Sequence, residues 1–390
     1  MKKREGIKFF RNSLIAIIAG SLLLLSLSGC WNRREIDTIS ILMGMGIDKA
    51  EGANRLQLTA QVIKPSQMKK DGGSRDKEAF LTVKSTGDTV FDALRNFTKE
   101  TTRKIYLPHS QILIFGEEIA VEGVQKYTDF FIRDHEPRLR TNVLVAKGRA
   151  EDILAVKSKL EEIPAAGISD LLNAQSATSE AMKISLKRFI NCLISDMTSP
   201  TAPIVEISGS GEEKFLNISG MALFKNDKLV GEMIGSEARG LLWIMNEVES
   251  GIIVVECPLE ECYLSLEIIR STSKIIPQFR DGKISVKVEI KEEGHIGDQE
   301  CVFDLTMPII SDIEQRKAAV IRNEVMAAVR KAQDLGTDVF GFGEAVHRKY
   351  PRQWKEMKKK WDYIYPELEV EVIVNAKVRR PGMLTRPASS

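Results

Sequence analysis

The sequence predicts an α+β fold in which small mixed sheets are flanked by helices. Residues 368–378 alternate apolar and polar side chains, which is typical of a half-buried strand. From Ser311 to Gly336 the apolar side chains recur instead at helical spacing, over about six turns. Strands and helices follow one another without a repeated strand–helix–strand rhythm, and this favours α+β over α/β.

The first half of the chain is expected to mix strands with amphipathic helices. The pattern at Val121–Arg133 predicts a helix, because its apolar side chains fall on one side. Short apolar runs and two-residue alternation predict strands, the first two forming a hairpin, at residues 39–47, 56–62, 80–85, 111–116 and 141–148.

The middle of the chain, residues 157–202, has little strand character and is expected to be rich in helix. A hairpin is predicted after residue 217, then a helix at Ser236–Asn246 and three extended segments. Ser311 and Glu314 have the spacing of a capping box, which predicts that the long helix begins at that point.

Residues 1–29 have the pattern of a lipoprotein signal peptide, with a basic start and an uncharged apolar run at Ser13–Ser28. As a helix this run would be about 24 Å long, short of the ~30 Å bilayer core, so a permanent span is the weaker interpretation. The run ends in Leu27-Ser28-Gly29-Cys30, which resembles a bacterial lipobox. Cys30 is therefore predicted to carry diacylglyceryl and palmitate-type chains, and two or three chains anchor stably because each buried methylene contributes ~0.8 kcal/mol.

The charge of the chain argues against a nucleic-acid partner. Without residues 1–29 the 390-residue chain keeps 51 basic and 53 acidic residues, a formal charge of −2. No basic patch of the kind that binds polyanions is predicted. No later segment has about 18 consecutive apolar residues, so we expect an extracytoplasmic body that is tethered only at its N-terminus.

The cysteines leave two interpretations open. An exported location permits a Cys257–Cys262 disulfide, whereas apolar surroundings and sparse spacing favour buried thiols, which is the interpretation that we prefer here. There is no CxxC pair and the four histidines are scattered, so no zinc or other metal site is predicted.

No motif predicts a catalytic centre or a cofactor. "GMGID" at residues 44–48 has no third glycine and no following helix, which indicates a strand bend or bulge rather than a dinucleotide loop. Gly341 and Gly343 lack phosphate-loop spacing and predict a turn that starts a short helix. Glu344 and His347 lie three positions apart, but nothing nearby in sequence supplies a nucleophile, so a surface contact is the better interpretation.

A lysine-rich helix near the C-terminus has two interpretations. Trp354 and Trp361 flank it, and the lysines between them are suited to anionic lipid headgroups. The favoured alternative is a solvated helix face with its tryptophans in the core. The lysines concerned are Lys355, Lys358, Lys359 and Lys360.

Two stretches at opposite ends of the chain resemble one known family. "SGCWNRREIDTISILMGMGID" is similar to the mature start of the Ger(x)C family, the lipoprotein C-subunits of nutrient germinant receptors in bacterial spores. "DVFGFGEAVHRKYPRQWKEMKKKWDYIYPELEVEVIVNAKVRRPG" is similar to that family's C-terminal signature, and "ISGMALFKNDKLVGEM" with "EARGLLW" supports the match. The likeness runs from Cys30 to about Gly382.

The resemblance implies a three-domain α+β lipoprotein on the outer face of the inner spore membrane. We divide the chain into an N-terminal α+β domain at 30–118, a helix-rich middle domain at 119–207 and a C-terminal α+β domain at 208–382. Residues 383–390 form a tail outside the family pattern. Cys30 takes the place of the family's lipid-bearing cysteine.

The resemblance further implies a non-catalytic subunit that works beside integral-membrane A- and B-type receptor subunits, with no cofactor. Residues 31–35, here called the collar, would lie nearest the bilayer and are the candidate docking segment. Its interaction residues are Trp31, Arg33, Arg34 and Glu35. The family often has an aspartate where this chain has Asn32, which leaves any role of that acid open.

Two other classes of function are carried as alternatives. A substrate-binding lipoprotein of a membrane transporter would need a ligand cleft between two α/β lobes. A lipid-anchored hydrolase would need an activated nucleophile.

Overall fold

The computed structural model describes residues 10, 12–21, 39–52, 55–63, 80–99, 101, 103–156, 163–259, 261–300 and 304–380. The helices are α1 (12–21), α2 (Val90–Asn96), α3 (Glu117–Glu122), α4 (Gln125–Arg133), α5 (Ala150–Ala155), α6 (Pro164–Ala174), α7 (Leu186–Leu193), α8 (Gly235–Met245), α9 (Met307–Asp334), α10 (Phe342–Lys349), α11 (Pro351–Met357) and α12 (Trp361–Ile364). Among the described helices, none has both the length and the apolar character needed to cross a bilayer.

The strands are β1 (Ile39–Lys49), β2 (Leu56–Ile63), β3 (Phe80–Gly87), β4 (Lys104–Tyr106), β5 (Ile112–Phe115), β6 (Asn142–Ala146), β7 (Thr201–Ser208), β8 (Phe215–Lys225), β9 (Lys228–Ile234), β10 (Ile252–Glu256), β11 (Tyr263–Arg280), β12 (Lys283–Gln299) and β13 (Glu369–Arg380). The predicted strands at the start of the chain and the hairpin of β1 with β2 are confirmed.

The first sheet has nine strands in the order β3-β2-β1-β5-β6-β7-β8-β9, with β4 paired to the start of β1. Its centre is parallel, because β1, β5, β6 and β7 run in one direction. All four residues of β5 are buried, as expected for a parallel strand that is covered on both faces. Antiparallel strands extend the sheet on both sides.

The α+β class is confirmed, but the expected absence of successive strand–helix–strand units is wrong for this sheet. The chain passes from β5 through α3 and α4 to β6, and from β6 through α5, α6 and α7 to β7, with parallel pairing each time. Strands β5 and β6 are only four and five residues long, and the helices have six to eleven residues. Elements this short show little periodicity in the sequence, so the strand–helix–strand units cannot be recognised from the pattern of apolar residues.

The first sheet also runs through both inner boundaries of the expected domain division. β5 and β6 lie on either side of residues 118/119, and β7 and β8 pair across residues 207/208. The three-domain division therefore stays a prediction about folding units, while the hydrogen bonding of this sheet joins all three segments.

The second sheet has the order β10-β11-β12-β13 and packs against the long helix α9. The predicted apolar stripe of this helix is confirmed, since Ile321, Val325 and Ala328 are fully buried. The predicted capping box is wrong: α9 begins at Met307, before Ser311. Glu314 instead accepts hydrogen bonds from β13, from the backbone N–H of Val378 at 3.0 Å and the Nζ of Lys377 at 2.8 Å.

The preferred prediction that Cys257 and Cys262 are buried thiols is wrong at the turn between β10 and β11. Cys257 and Cys262 are both disulfide-bonded. They face each other across the turn, where the Cys257 N–H donates to the Cys262 carbonyl at 2.9 Å. Their positions continue the antiparallel register beyond Glu256 and Tyr263, which is why five residues of sequence separation bring the two together.

Helices α8 and α9 pack with their backbones in close contact at Gly240. A Cβ at this position would lie 2.1 Å from the Glu324 carbonyl oxygen and 2.9 Å from the Ala328 Cβ. Beside this contact the Glu324 carboxylate is buried, and it accepts hydrogen bonds from Arg239 and, at 2.9 Å, from the Trp243 indole N–H. The segment "EARGLLW" thus carries the interface between these two helices.

We expect Gly240→Ala to lower the free energy of unfolding by about 1–3 kcal/mol, because the added methyl forces the two helices apart. Gly297→Ala is a matched control in β12, where a Cβ would meet only the Ser265 carbonyl oxygen at 3.7 Å. Urea unfolding followed by circular dichroism measures both. Equal stability of the two variants would contradict the close packing of α8 on α9.

Candidate functional site

The predicted anchor and docking residues lie outside the described residues. This applies to Cys30 and to Trp31, Arg33, Arg34 and Glu35 of the collar. The described body begins at β1, and Ile39–Ile41 is held in parallel pairing with β4. From Cys30 to Ile39 the chain can span at most about 30 Å. An anchor on Cys30 would therefore keep the start of β1 within that distance of the bilayer.

"GMGID" lies in β1 and includes a bulge, as predicted, and its glycines also serve packing. The pairing of β1 with β2 shifts register between Leu42 and Gly44, which is a bulge. A Cβ at Gly44 would lie 2.7 Å from the Ala165 Cβ, and a Cβ at Gly46 would lie 2.9 Å from the Ala150 Cβ. The two glycines therefore let α6 and α5 approach the sheet closely.

Asp48, the last residue of "GMGID", caps a helix from another part of the chain. Its carboxylate accepts hydrogen bonds from the backbone N–H groups of Ala150 at 2.8 Å and Glu151 at 2.9 Å. These residues begin α5, whose own N-cap Arg149 contributes no side-chain hydrogen bond. Burial raises the pKa of Asp48 although the two N–H groups act against the rise.

Asp338 organises the glycine-rich turn at the start of the C-terminal signature. Its carboxylate accepts from the N–H of Phe342 at 3.0 Å, the N–H of Gly343 at 2.7 Å and the indole N–H of Trp361 at 3.1 Å. Burial raises the pKa of Asp338 to about 6, although these hydrogen bonds oppose the rise. Gly341, at φ 75°, turns the chain into α10, which confirms the predicted turn.

The tryptophans of the lysine-rich segment belong to the core, which confirms the favoured interpretation. Trp354 and Trp361 are 2% and 6% exposed, and their ring centroids lie 5.1 Å apart. The four lysines are exposed, and Lys358 forms an ion pair with Asp196 at 2.8 Å. Contact of these lysines with lipid headgroups stays a hypothesis.

The residues considered for catalysis are not brought together as an acid–base pair. The Thr198 hydroxyl lies 3.5 Å from the Glu344 carboxylate, while the His347 ring packs 6.1 Å from the Trp354 ring. Within the described residues no cluster of histidine, cysteine and carboxylate side chains could hold a metal ion. Asp48 and Glu324 have structural roles that sequence reasoning missed, because their partners are more than 80 residues away. Asp338 was missed although Phe342 and Gly343 are near in sequence, because its third partner, Trp361, comes from another helix and no motif marks the cap.

Comparison with known proteins decides the family. Residues 32–207 match the family described as "Spore germination protein N-terminal domain". Residues 219–382 match "Spore germination B3/ GerAC like, C-terminal". The chain belongs to the Ger(x)C family. The resemblance drawn from its opening and closing stretches is thereby confirmed.

Relatives of this Ger(x)C chain match it over nearly their whole length. It is 27% identical to "Spore germination protein KC" of Bacillus subtilis (strain 168), over 97% of this chain and 98% of the relative. It is 26% identical to "Spore germination protein A3" of the same strain, over 94% and 98%. The crystal structure of the GerBC protein shares the fold, with a TM-score of 0.58 and 19% identity over 86% of this chain and 97% of that one.

The two Ger(x)C matches meet inside the first sheet. The N-terminal match ends at residue 207, within β7, and the C-terminal match begins at residue 219, within β8. Because β7 and β8 are hydrogen-bonded neighbours, the two parts of the family pattern complete one sheet.

We expect Asp338 to make stability rise as the pH falls from 7 to 4. Its folded pKa of about 6 lies above the ordinary aspartate pKa of 3.8, so the folded state takes up the proton first. The gain in unfolding free energy is about 3 kcal/mol, complete below pH ~4 and absent above pH ~7. Urea unfolding at several pH values measures it.

Asp338→Asn is the control because an amide does not titrate over this range. The variant should itself be less stable by about 1–3 kcal/mol, since its NH₂ group faces donors instead of accepting from them. The difference between wild type and variant should change with pH as stated. If the stabilities of wild type and variant changed in parallel with pH, the raised pKa of the buried Asp338 carboxyl would be contradicted.

Proposed function

We propose that the chain is a lipid-anchored, non-catalytic subunit of a spore nutrient germinant receptor. In this role it stabilises or couples the integral-membrane A- and B-type subunits during nutrient-triggered germination. The observation that carries the proposal is the match to Bacillus spore germination proteins over nearly the whole chain. The signal peptide and lipobox at Cys30 supply the anchor.

The proposed location is the outer face of the inner spore membrane. A signal peptide directs export, and acylated Cys30 would then hold the body at the membrane surface. The disulfide state of Cys257 and Cys262 supports an oxidising compartment, where such bonds form and persist.

The proposed mechanism is tethering. A body whose first strand begins within about 30 Å of the bilayer meets membrane partners at a raised effective concentration, so weak contacts suffice for assembly. The collar lies in this segment and is the proposed docking site. Binding of this subunit to the A- and B-type subunits would then shift the assembly equilibrium toward the complete receptor.

A non-catalytic role is supported by how the buried acids are used. Asp48, Glu324 and Asp338 each accept several hydrogen bonds from the protein itself, so their carboxylates serve the fold. A lipid-anchored hydrolase would need an activated nucleophile, and a transporter-associated binding protein would need a lobe-to-lobe cleft. The family match favours the receptor subunit over both.

Cys30→Ala should abolish labelling by radioactive palmitate and release the body from the membrane fraction of expressing cells, because the thiol is the acylation site. Cys192→Ala is the matched control, since Cys192 is a free thiol in α7 and should leave labelling unchanged. Equal labelling of the Cys30→Ala variant would refute the anchor.

Charge reversal of the collar, Arg33→Glu with Arg34→Glu, should reduce co-purification with the A- and B-type subunits from spore membranes by at least about fivefold, because like charges at a docking surface cost binding energy. Lys355→Glu with Lys360→Glu makes the same charge change on an exposed helix face and should leave recovery unchanged. If both double variants co-purify normally, docking uses another surface.

A further inference from the structure

The parallel strands of the first sheet begin at one end of the body, and the segment that follows Cys30 joins the body at that end. Ile39, the first residue of β1, lies opposite Lys104 of β4 in parallel register. β5 pairs in parallel with the continuation of β1, and its first residue Ile112 is aligned with Asn142, the first residue of β6. The loops that lead into β5 and β6 therefore lie at the end of the body nearest to the proposed anchor.

The loop before β6, residues 134–141, is held against this end by contacts with two other elements. Glu136 pairs with Lys104 of β4 at 2.8 Å. The backbone N–H of Lys187 in α7 donates to the Leu139 carbonyl at 2.9 Å. We call the surface formed by residues 103–104, residues 132–140 and Lys187 the tether-side surface.

The tether-side surface is basic, with six basic side chains and two acidic ones. Glu136 is used by Lys104, and Arg133 is paired with Asp129, one turn earlier in α4, at 2.7 Å. Asp134 is 23% exposed and accepts from the Glu136 backbone N–H at 2.8 Å. Among the described residues four exposed cations have no carboxylate within ion-pair distance, and these are Arg103, Arg138, Arg140 and Lys187.

Two large aliphatic side chains of this surface are exposed. Ile132, at the end of α4, is 54% exposed, and Leu139 is 43% exposed between two of the unpaired arginines. A single exposed aliphatic side chain is ordinary on a protein surface. Aliphatic side chains among unpaired cations, at the tethered end of the body, have the composition of a membrane-interface segment.

We propose that the tether-side surface lies on the bilayer, with its two aliphatic side chains in the headgroup region and its four unpaired cations against anionic lipid phosphates. Two observations select lipid as the occupant. The chain from Cys30 reaches at most about 30 Å and ends at this surface, and the charge of the surface is complementary to an anionic leaflet. The inference rests on the lipid anchor of the proposed function and adds which face of the body meets the membrane.

The surface orients the body, whereas the acyl chains hold it. Each cation near an anionic leaflet strengthens binding by roughly fivefold, and four such contacts are weaker than two buried acyl chains. Release of the Cys30→Ala variant from the membrane fraction is therefore compatible with this role.

The test uses the mature acylated protein in phosphatidylcholine vesicles, prepared with and without phosphatidylglycerol. Leu139→Cys is labelled with an environment-sensitive fluorophore in a Cys192→Ala background, because Cys192 is a free thiol, whereas Cys257 and Cys262 are disulfide-bonded. Spin-labelled lipids quench the fluorophore where it contacts the headgroup region. Strong quenching is expected in the vesicles that contain phosphatidylglycerol.

Phe215→Cys, labelled in the same background, is the matched control. Phe215 is 56% exposed and pairs with Ser208, the last residue of β7. Through the register of β6 with β7, it lies about 23 Å along the strands from Asn142, at the opposite end of the sheet. The label at position 215 should be quenched at least about threefold less than the label at position 139, because it stays in water.

Arg140→Glu should lower the quenching of the Leu139→Cys label at least about threefold in vesicles with phosphatidylglycerol, because an acid replaces a cation near the anionic leaflet. Lys214→Glu makes the same charge change at an exposed position beside Phe215. It should leave the quenching at position 139 unchanged.

Flotation with the vesicles separates this proposal from the anchor on which it rests. A protein that fails to float would overturn both. A protein that floats but shows equal quenching of the two labels would overturn the tether-side surface alone, as would equal quenching with and without phosphatidylglycerol. Shielding of the label at position 139 from a water-soluble quencher only in membranes that hold the A- and B-type subunits would assign the surface to a protein partner instead of lipid.

Discussion

The architecture depends on two buried charges of the long helix α9, each of which must be paired because an isolated charge in the interior is costly. Lys317 is fully buried and contacts Glu292 of β12 at 2.6 Å. Two turns further on, Glu324 is paired with Arg239 of α8, which follows the last strand of the first sheet. Helix α9 is thereby fixed both to the second sheet and to α8. If α9 rotated or slid, at least one buried charge would lose its partner.

The Lys317–Glu292 pair fixes how α9 lies on β12, but it contributes little net stability. Burial raises the pKa of Glu292 and lowers that of Lys317, and each is opposed by the attraction of the other. The free energy needed to remove both charges from water offsets much of the attraction between them. Loss of one partner, in contrast, lowers stability by about 3–5 kcal/mol, because the other charge is left buried and unpaired. The Oε2 atom of Glu292 has no hydrogen-bond partner among the described residues, which adds to the cost of the arrangement. The main effect of the ion pair is on register, because only one alignment of α9 along β12 brings the two charges together.

The turn that follows α9 extends this constraint to the first sheet. Thr337 donates from its hydroxyl to the Phe224 carbonyl of β8, and the Asp338 carbonyl accepts from the Ser199 N–H at 2.8 Å. The turn at Thr337 and Asp338 is thus joined to the first sheet and, through the Asp338 carboxylate, to the helices of the C-terminal signature.

Local pattern in the sequence determined much of the fold: the alternation that becomes β13, the buried stripe of α9, the β1–β2 hairpin and the turn at Gly341. The Ger(x)C family and the Cys30 motif were also accessible, because they depend on ordered stretches of letters. Only the tertiary structure decided the start of α9, the disulfide state of the β10–β11 turn, the parallel crossovers and the partners of Asp48, Asp338 and Lys317. The physical reason is that periodicity is a property of neighbouring residues, whereas a buried polar group is fixed by partners that can be up to a hundred residues away.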